Sequence, residues 1–210
     1  MSEGGMPPSV EPGPWLILIG PAGAGKSTLG RALADMTGRD FIDIDEAGQP
    51  FYEEVGWPVA RIYDESAQLG WVRTERAWEV ARAHAVEQVV KRAAGSVLAL
   101  GAGHTNYSNR ALFSRVKNAV SCAEHVLWVQ PHDDHETSLR VLRERNKRDR
   151  SSDYAPEGHD MLAEWLLDDQ ARSLATHVHS THDFSVLESA HTVYQALLAT
   201  RFTDSKESAQ

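Results

Sequence analysis

One short segment near the start of the chain constrains the fold more than any other feature. It matches the phosphate-binding loop pattern GxxxxGK[ST] and reads Gly20-Pro21-Ala22-Gly23-Ala24-Gly25-Lys26-Ser27. An apolar run at residues 15–19 precedes it, and a helical pattern at residues 28–34 follows it. Because the pattern is informative only between a strand and a helix, this context predicts an α/β fold with a nucleotide site at the loop.

Each part of this loop suits a phosphate chain. Gly20, Gly23 and Gly25 permit positive φ angles and close approach, so that backbone N–H groups and a helix N-terminus can meet the oxygens. Lys26 supplies a cation for the terminal phosphates, and Ser27 supplies a hydroxyl ligand for Mg²⁺. The flanking strand and helix disfavour the alternative, a glycine-rich turn that happens to precede a lysine. The predicted nucleotide-binding residues are Gly20, Pro21, Ala22, Gly23, Ala24, Gly25, Lys26, Ser27 and Thr28.

The composition is that of a compact domain. The chain has 210 residues, of which 41% are hydrophobic and 24% are charged, enough for one domain with a substantial core. A net charge of −9 argues against nucleic acid as the main partner, since phosphate backbones bind basic faces. Cys122 is the only cysteine, and no apolar run approaches the ~20 residues of a membrane span. We therefore expect a cytoplasmic protein without a nucleic-acid or membrane partner.

Short apolar runs alternate with longer helical patterns between two polar ends. Residues 1–14 and 203–210 bury too little apolar surface to order themselves and are predicted to be a flexible leader and tail. The alternation predicts βαβ units, and hence a single domain at residues 15–202 with a mostly parallel five-stranded sheet. Residues 60–94 are predicted to form a long helical stretch. The predicted strands cover residues 15–19, 40–44, 96–100, 125–129 and 183–187.

Two acidic residues, Asp43 and Asp45, end the second apolar run. Alternation along a strand points both carboxylates to one face, and the carboxyl ends of the strands form the ligand crevice of an open α/β sheet. One carboxylate is then placed to hold Mg²⁺ together with Ser27, and the other to accept the proton of an attacking hydroxyl. Either acid is also a good N-cap for a following helix, so this alternative stays open.

Two further segments are candidates for the site. The turn Gly101-Ala102-Gly103-His104 follows the third predicted strand and offers backbone N–H groups to a substrate, although many such turns only connect elements. Residues 140–150 hold the only dense group of arginines, which suits either the charge of a transferring phosphoryl group or a solvated helix end. With the polar residues that follow, they predict a mobile lid at about residues 143–160.

Together these motifs resemble the shikimate kinase family, small P-loop kinases, over roughly residues 15–200. The resemblance implies a P-loop NTPase-like three-layer sandwich that uses ATP and Mg²⁺. It implies that Asp43 assists magnesium, that Asp45 binds the accepting hydroxyl, that Arg150 contacts the transferring phosphate and that Arg143 lies near the nucleotide. With Lys26, the predicted catalytic residues are Asp45 and Arg150. The matching segments are residues 20–28, 43–45, 55–63, 101–103 and the arginine-containing lid.

The sequence departs from the family pattern mainly on the acceptor side. The family has three successive glycines and a small apolar residue where this chain has Gly101-Ala102-Gly103-His104. It also has an aromatic residue followed at once by a carboxylate-binding arginine, where this chain has Trp71-Val72-Arg73, and an Arg-Pro step where Ser151 follows Arg150. Arg172 is the match for a second carboxylate-binding arginine. The predicted substrate-binding residues are Asp45, Arg73, Gly101, Ala102, Gly103, His104 and Arg172.

The leading functional hypothesis is an ATP-dependent kinase that phosphorylates a hydroxyl group of a small polar metabolite. Shikimate or a shikimate-like cyclitol or hydroxy acid is the expected acceptor, and a gluconate-like sugar acid is the rival. A nucleotide-binding regulatory protein without small-molecule phosphorylation is the alternative from another class. The expected partner is the acceptor molecule alone, and the expected assembly is a monomer or a homodimer.

Overall fold

The fold is built on one β-sheet that is covered by helices. The computed structural model describes residues 12–150 and 154–207. All strand pairs in these ranges are parallel, and the order across the sheet is second, third, first, fourth, fifth. The predicted α/β class with a parallel five-stranded sheet is confirmed. The strands are β1 (Leu16–Ile19), β2 (Phe41–Asp43), β3 (Val97–Ala99), β4 (His125–Gln130) and β5 (His177–Ser180).

Several helices begin or end at a residue suited to capping. The first helix ends before Gly38, which adopts the left-handed conformation with φ 66°. Asn109 caps the helix that begins at Arg110, because its side chain accepts hydrogen bonds from Ala111 N and Leu112 N. The helices are α1 (Lys26–Thr37), α2 (Ile44–Ala47), α3 (Gln49–Glu54), α4 (Val59–Leu69), α5 (Trp71–Arg92), α6 (Arg110–Val120), α7 (His135–Arg150), α8 (Met161–Leu166), α9 (Asp169–Arg172) and α10 (Val186–Glu207).

The two faces of the sheet pack against different helices, which makes three layers. Successive residues of a strand point to opposite faces, so β1 contributes to two cores. Leu16 and Leu18 pack with α1, α8 and α10, whereas Ile17 and Ile19 pack with α5, α6 and α9. Because β1 is buried on both faces, its sequence is a continuous apolar run and does not alternate between apolar and polar residues.

The fifth strand lies earlier than the sequence predicts. The predicted strand at residues 183–187 is wrong, because α10 begins at Val186. Ser185 N donates to Glu188 Oε2 at 2.8 Å and Glu188 N donates to Ser185 Oγ at 3.3 Å, a capping box that starts a helix. β5 is an edge strand in which two histidines and a serine accompany a single apolar residue, so it has no apolar run to reveal it.

The long helical stretch predicted at residues 60–94 consists of two helices. α4 and α5 meet at Gly70, whose φ of 84° and ψ of 156° are accessible mainly to glycine. At the start of α5, Trp71 N donates to Glu157 Oε1 at 2.6 Å, so a residue that follows α7 in the chain satisfies one of the unpaired N–H groups of α5. A β-carbon at Gly70 would collide with this carboxylate.

The predicted domain limits fall partly outside the described residues. Those outside are residues 1–11 of the predicted leader, 151–153 of the predicted lid and 208–210 of the predicted tail. α7 runs through the first part of the lid, and a 3-10 turn at Pro156–Gly158 follows. The backbone of α10 continues to Glu207, past the predicted end of the domain at residue 202.

Candidate active site

The glycine-rich loop joins β1 to α1 in the context that the sequence predicts. Gly20, Gly23 and Gly25 have φ angles of 132°, 81° and 100°. A β-carbon on Gly20 would collide with the carbonyl oxygen of Val129, and one on Gly23 would collide with the amide group of Asn146. Both conformation and packing therefore require glycine here, as is typical of loops that bind anions through the backbone.

Lys26 is the first residue of α1 and is buried. Its ammonium group donates hydrogen bonds of 2.8 Å to the carbonyl oxygens of Gly20 and Pro21. These bonds hold the positive charge against the loop, beside the helix N-terminus that favours an anion. The predicted nucleotide-binding residues thus form one continuous unit.

Ser27 and Asp43 come from different elements and meet at the carboxyl edge of the sheet. The Ser27 hydroxyl donates to Asp43 Oδ2 at 2.8 Å, and Asp43 Oδ1 accepts from Asp45 N at 3.1 Å. Asp43 is therefore the N-cap of α2, the alternative considered above, and also places an oxygen beside a hydroxyl. No group of three or more histidine, cysteine, aspartate or glutamate ligands occurs within the described ranges. A hydroxyl and one carboxylate nevertheless fit Mg²⁺, which completes its shell with phosphates and water.

A cavity of about 460 Å³ lies over the loop, within the size range of small-molecule sites. It brings together Ser27, Asp43, Asp45, Gly101 and Ala102, because β1, β2 and β3 are adjacent parallel strands that end at the same edge of the sheet. The remaining lining residues are Ala22, Gly23, Ala24, Gly25, Lys26, Thr28, Leu29, Ala99, Leu100, Arg145, Asn146, Arg148, Asp149, Thr181, Phe184, Val186 and Ser189.

α7 contributes two arginines to the cavity. The Arg145 guanidinium donates to Gly23 O at 3.3 Å, and Arg148 pairs with the adjacent Asp149. Between them, Asn146 Nδ2 donates to Ala22 O at 2.9 Å and so ties the helix to the loop. A spacing of three residues places Arg145 and Arg148 on one helix face.

The sequence predicts a different pair of α7 arginines for the site, Arg143 and Arg150. Arg143 pairs with Asp160, and it is not among the residues that line the cavity. Two positions along a helix correspond to a rotation of about 200°, which turns Arg143 away from the face that carries Arg145. The predicted contact through Arg150 concerns a side chain outside the described part of the structure.

The predicted acceptor turn is a 3-10 turn whose histidine is buried. His104 Nε2 lies 2.6 Å from the Tyr52 hydroxyl, and Nδ1 lies 3.9 Å from Asp45 Oδ1. Burial, with the nearby charges of Arg82 and Lys26, lowers the pKa of His104 to about 3, so the ring is neutral at pH 7. Burial and the Asp45 carboxylate raise the pKa of Tyr52, so its hydroxyl keeps its proton.

A buried guanidinium that no motif indicated lies beneath this turn. Arg82 of α5 is 2% exposed and pairs with Glu75. Its guanidinium carbon lies 5.4 Å and 5.9 Å from the ring centres of Trp78 and Tyr107. A β-carbon on Gly103 would lie 2.8 Å from Arg82 Nη1, so the second glycine of the turn is required for this contact.

Four of the predicted substrate-binding residues do not line the cavity: Gly103 and His104, which lie at the end of the turn, and the two arginines, Arg73 and Arg172. Arg73 is exposed on α5, and Val72 lines a smaller depression beside Glu75. Arg172 donates to Gln130 Oε1 at 2.8 Å. Neither arginine lines the main cavity. The shift of one position relative to the family pattern turns a helical side chain by about 100°, which accounts for the outward position of Arg73.

The loop, the parallel sheet and the cavity at the carboxyl ends of the strands define a P-loop α/β protein with a site for a phosphate-bearing ligand. A family model described as shikimate kinase matches residues 22–198. The chain belongs to the shikimate kinase family.

Curated relatives match part of the chain. Shikimate kinase from Stenotrophomonas maltophilia R551-3 is 37% identical over 109 residues, which cover 50% of this chain and 53% of that protein. Shikimate kinase from Xanthomonas campestris pv. campestris 8004 is 42% identical over 59 residues, covering 28% and 31% respectively. The aligned segment thus spans about half the length of the first relative.

Solved structures match nearly the whole chain. Shikimate kinase from Acinetobacter baumannii in complex with shikimate has a TM-score of 0.62 and 20% identity, and the match covers 90% of this chain and 94% of that one. A gluconokinase from Sinorhizobium meliloti 1021 has a TM-score of 0.50 and 17% identity, with 94% and 98% covered. At these identities the likeness shows the shared fold. Within the described ranges, every helix is too short or too polar to cross a membrane.

Proposed function

We propose that this chain transfers the γ-phosphate of ATP to a hydroxyl group of a small polar metabolite. The observation that carries the proposal is the shared cavity, which the loop with Lys26 lines on one side and Asp45 with the Gly101 turn lines on another. An enzyme that transfers a phosphoryl group acts mainly by positioning donor and acceptor in line and by stabilising charge. The cavity supplies groups for both tasks.

Each residue has a role in this proposal. The loop and Lys26 bind the phosphates, and Arg145 and Arg148 add positive charge from α7. Ser27 and Asp43 would hold Mg²⁺, which neutralises charge on the phosphate oxygens when it is bound. Arg150 remains the predicted contact for the transferring group.

The proposed chemical step is a single displacement. As the acceptor oxygen bonds to the γ-phosphorus, the bond from that phosphorus to the bridging oxygen of ADP breaks, and the hydroxyl proton passes to Asp45. The products are a phosphate ester and ADP. Asp45 suits this role because its side chain is 63% exposed at the edge of the cavity.

For the acceptor, we propose shikimate or a shikimate-like cyclitol or hydroxy acid. Family membership and the shikimate complex of the Acinetobacter baumannii neighbour support this choice. The gluconokinase neighbour keeps a sugar acid as the rival. Because Arg73 and Arg172 do not line the cavity, the part of the site that would bind a hydroxyl is better supported than the part that would bind a carboxylate.

A panel of acceptors tests the proposal. The chain is incubated with ATP, Mg²⁺ and shikimate, quinate, gluconate or inositol, and phosphorus NMR is used to detect a phosphate ester. We expect one acceptor to be phosphorylated far faster than ATP is hydrolysed alone, and we expect Lys26→Met to lose both nucleotide binding and transfer. ATP binding without transfer to any acceptor would refute the kinase and favour the regulatory alternative.

A further inference from the structure

The ring of His104 is buried between two oxygen-bearing side chains. Its exposed fraction is 3%, and Nε2 lies at hydrogen-bonding distance from the Tyr52 hydroxyl. Nδ1 makes no hydrogen bond of good geometry among the described residues, although the backbone carbonyl of Gly101 lies close enough to raise the pKa of the ring. Buried polar atoms rarely remain without a partner. The carboxylate of Asp45, on a side chain that is 63% exposed, lies 3.9 Å from Nδ1.

Gly101 keeps the space between these two groups open. A β-carbon there would lie 2.6 Å from Asp45 Oδ1 and 2.7 Å from His104 Nδ1. The φ angle of Gly101 is −63°, which every residue type adopts, so its conformation does not require glycine. The absence of a side chain at this position therefore permits the close approach of the carboxylate and the imidazole.

The tautomer of His104 depends on both of its neighbours, Tyr52 and Asp45. Because Tyr52 keeps its proton, its hydroxyl can donate to Nε2 and leave the single proton of the neutral ring on Nδ1. The negative charge of Asp45 favours the same tautomer, since an N–H group then faces the carboxylate. Arg82 and Lys26 are the cations near the ring, and both oppose a second proton on it.

We infer that His104, held by Tyr52, is a positioning residue that donates from Nδ1 to one oxygen of Asp45 and so directs the other oxygen at the acceptor hydroxyl. A small rotation of the exposed carboxylate closes the 3.9 Å gap. The inference rests on the proposed function, in which Asp45 accepts the proton. His104 stands where the family resemblance has a small apolar residue.

Two substitutions of His104 separate positioning from packing. His104→Asn keeps a donor near the place of Nδ1, whereas His104→Gln keeps a polar group near the place of Nε2, toward Tyr52. We expect His104→Gln to lower kcat roughly tenfold to a hundredfold without a comparable change in the KM for ATP, and His104→Asn to retain most of kcat. A residue that only packs would show the reverse order, because Gln preserves the buried contact with Tyr52.

Coupling with Asp45 is the second criterion. In an Asp45→Asn background we expect His104→Gln to have almost no further effect on kcat, since it acts through the carboxylate. An undiminished effect in that background would overturn the inference. His125, a buried histidine at the start of β4, provides the control, and we expect His125→Gln to leave kcat unchanged.

Nitrogen NMR of the histidine rings tests the brace without any activity. The signals of His104 are identified by their loss in His104→Gln, and we expect a neutral ring with its proton on Nδ1 at pH 7. A proton on Nε2 would overturn the inference even if the chain is a kinase. Failure of the acceptor panel with the Nδ1–H tautomer in place would instead refute the proposed function while the arrangement of the ring stands.

Discussion

The loop around Lys26 and the turn that begins at Gly101 line one cavity, but different parts of the chain hold them in place. The loop depends on its own backbone, with three positive φ angles within six residues and a lysine bonded to carbonyls of the same loop. The turn depends on side chains from elsewhere, since Tyr52 comes from α3 and Arg82 from α5. The conformation of the donor side is thus set mainly by local backbone geometry, with Asn146 of α7 as an added tertiary contact, whereas the acceptor side depends on tertiary packing.

The largest effect that we predict is a loss of kcat in a variant of the acceptor side, without a matching loss of ATP binding on the donor side. Asp45→Asn removes the proton acceptor but preserves size, so we expect kcat to fall about 10²- to 10⁴-fold while the affinity for ATP stays nearly unchanged. A coupled assay for ADP and calorimetry with an ATP analogue measure the two quantities. If ATP affinity fell as much as kcat, the two sides of the cavity would not be separable in this way.

A stability measurement tests the buried support of the acceptor side. Arg82→Met removes the partner of Glu75, and breaking a buried ion pair typically costs about 3–5 kcal/mol of the free energy of unfolding. Arg115→Met is the control, because Arg115 pairs with Glu87 near the surface and such pairs contribute about 0.2–1 kcal/mol. Urea unfolding followed by tryptophan fluorescence gives both values. Equal losses in the two variants would show that the Arg82 pair is not a structural support.

A glycine pair tests the donor side. Gly23→Ala forces a positive φ of 81° on alanine and drives its β-carbon into Asn146, so we expect ATP affinity to fall by roughly 1–3 kcal/mol. Gly38→Ala imposes similar backbone strain at φ 66° but meets no atom within 4 Å and lies at the far end of α1. It should lower stability and leave ATP affinity unchanged. Loss of affinity in both variants would assign the effect to general destabilisation.

The smallest predicted effect concerns the arginine that the family pattern suggests. Arg73 is exposed and does not line the cavity, so we expect Arg73→Ala to leave the KM for the acceptor and kcat nearly unchanged. Initial rates at varied acceptor concentration measure both. A large rise in the acceptor KM would place Arg73 in the site after all and would restore a carboxylate-binding role.

What the sequence predicts well depends on local chemistry. The loop follows from glycine spacing, and β1, β3 and β4 follow from apolar runs that are buried on both faces. The fifth strand and its neighbouring helix do not, because the apolar residues Phe184, Val186 and Leu187 are exposed, and only the Ser185–Glu188 capping box signals the helix. Hydrophobicity alone therefore gives a wrong assignment at this edge of the sheet.

The acceptor side is less predictable because its residues are held by contacts with residues distant in the chain. Asp45 and Gly101 were found because each lies just after a strand, where ligands bind in open sheets. Nothing in the local sequence distinguishes Arg82 from the other arginines of α5, since its burial depends on Glu75, Tyr107 and the Gly103 turn. The sequence predicts that arginines of α7 enter the site, but it does not show that they are Arg145 and Arg148. Which face of α7 points into the cavity is fixed by the contacts of the helix with the loop.

Asn146 fixes the position of α7 against the phosphate-binding loop. Its amide donates to Ala22 O in the loop and to Leu142 O in its own helix, each at 2.9 Å, so the helix is pinned at this residue. The last four residues of the helix, 147–150, extend about 6 Å beyond Asn146, at 1.5 Å per residue. Arg145, one position before Asn146, is therefore held against the loop, whereas Arg148, two positions beyond it, pairs only with its neighbour Asp149 among the contacts described above, so one helix carries a cation held by the loop and a cation that the loop does not hold.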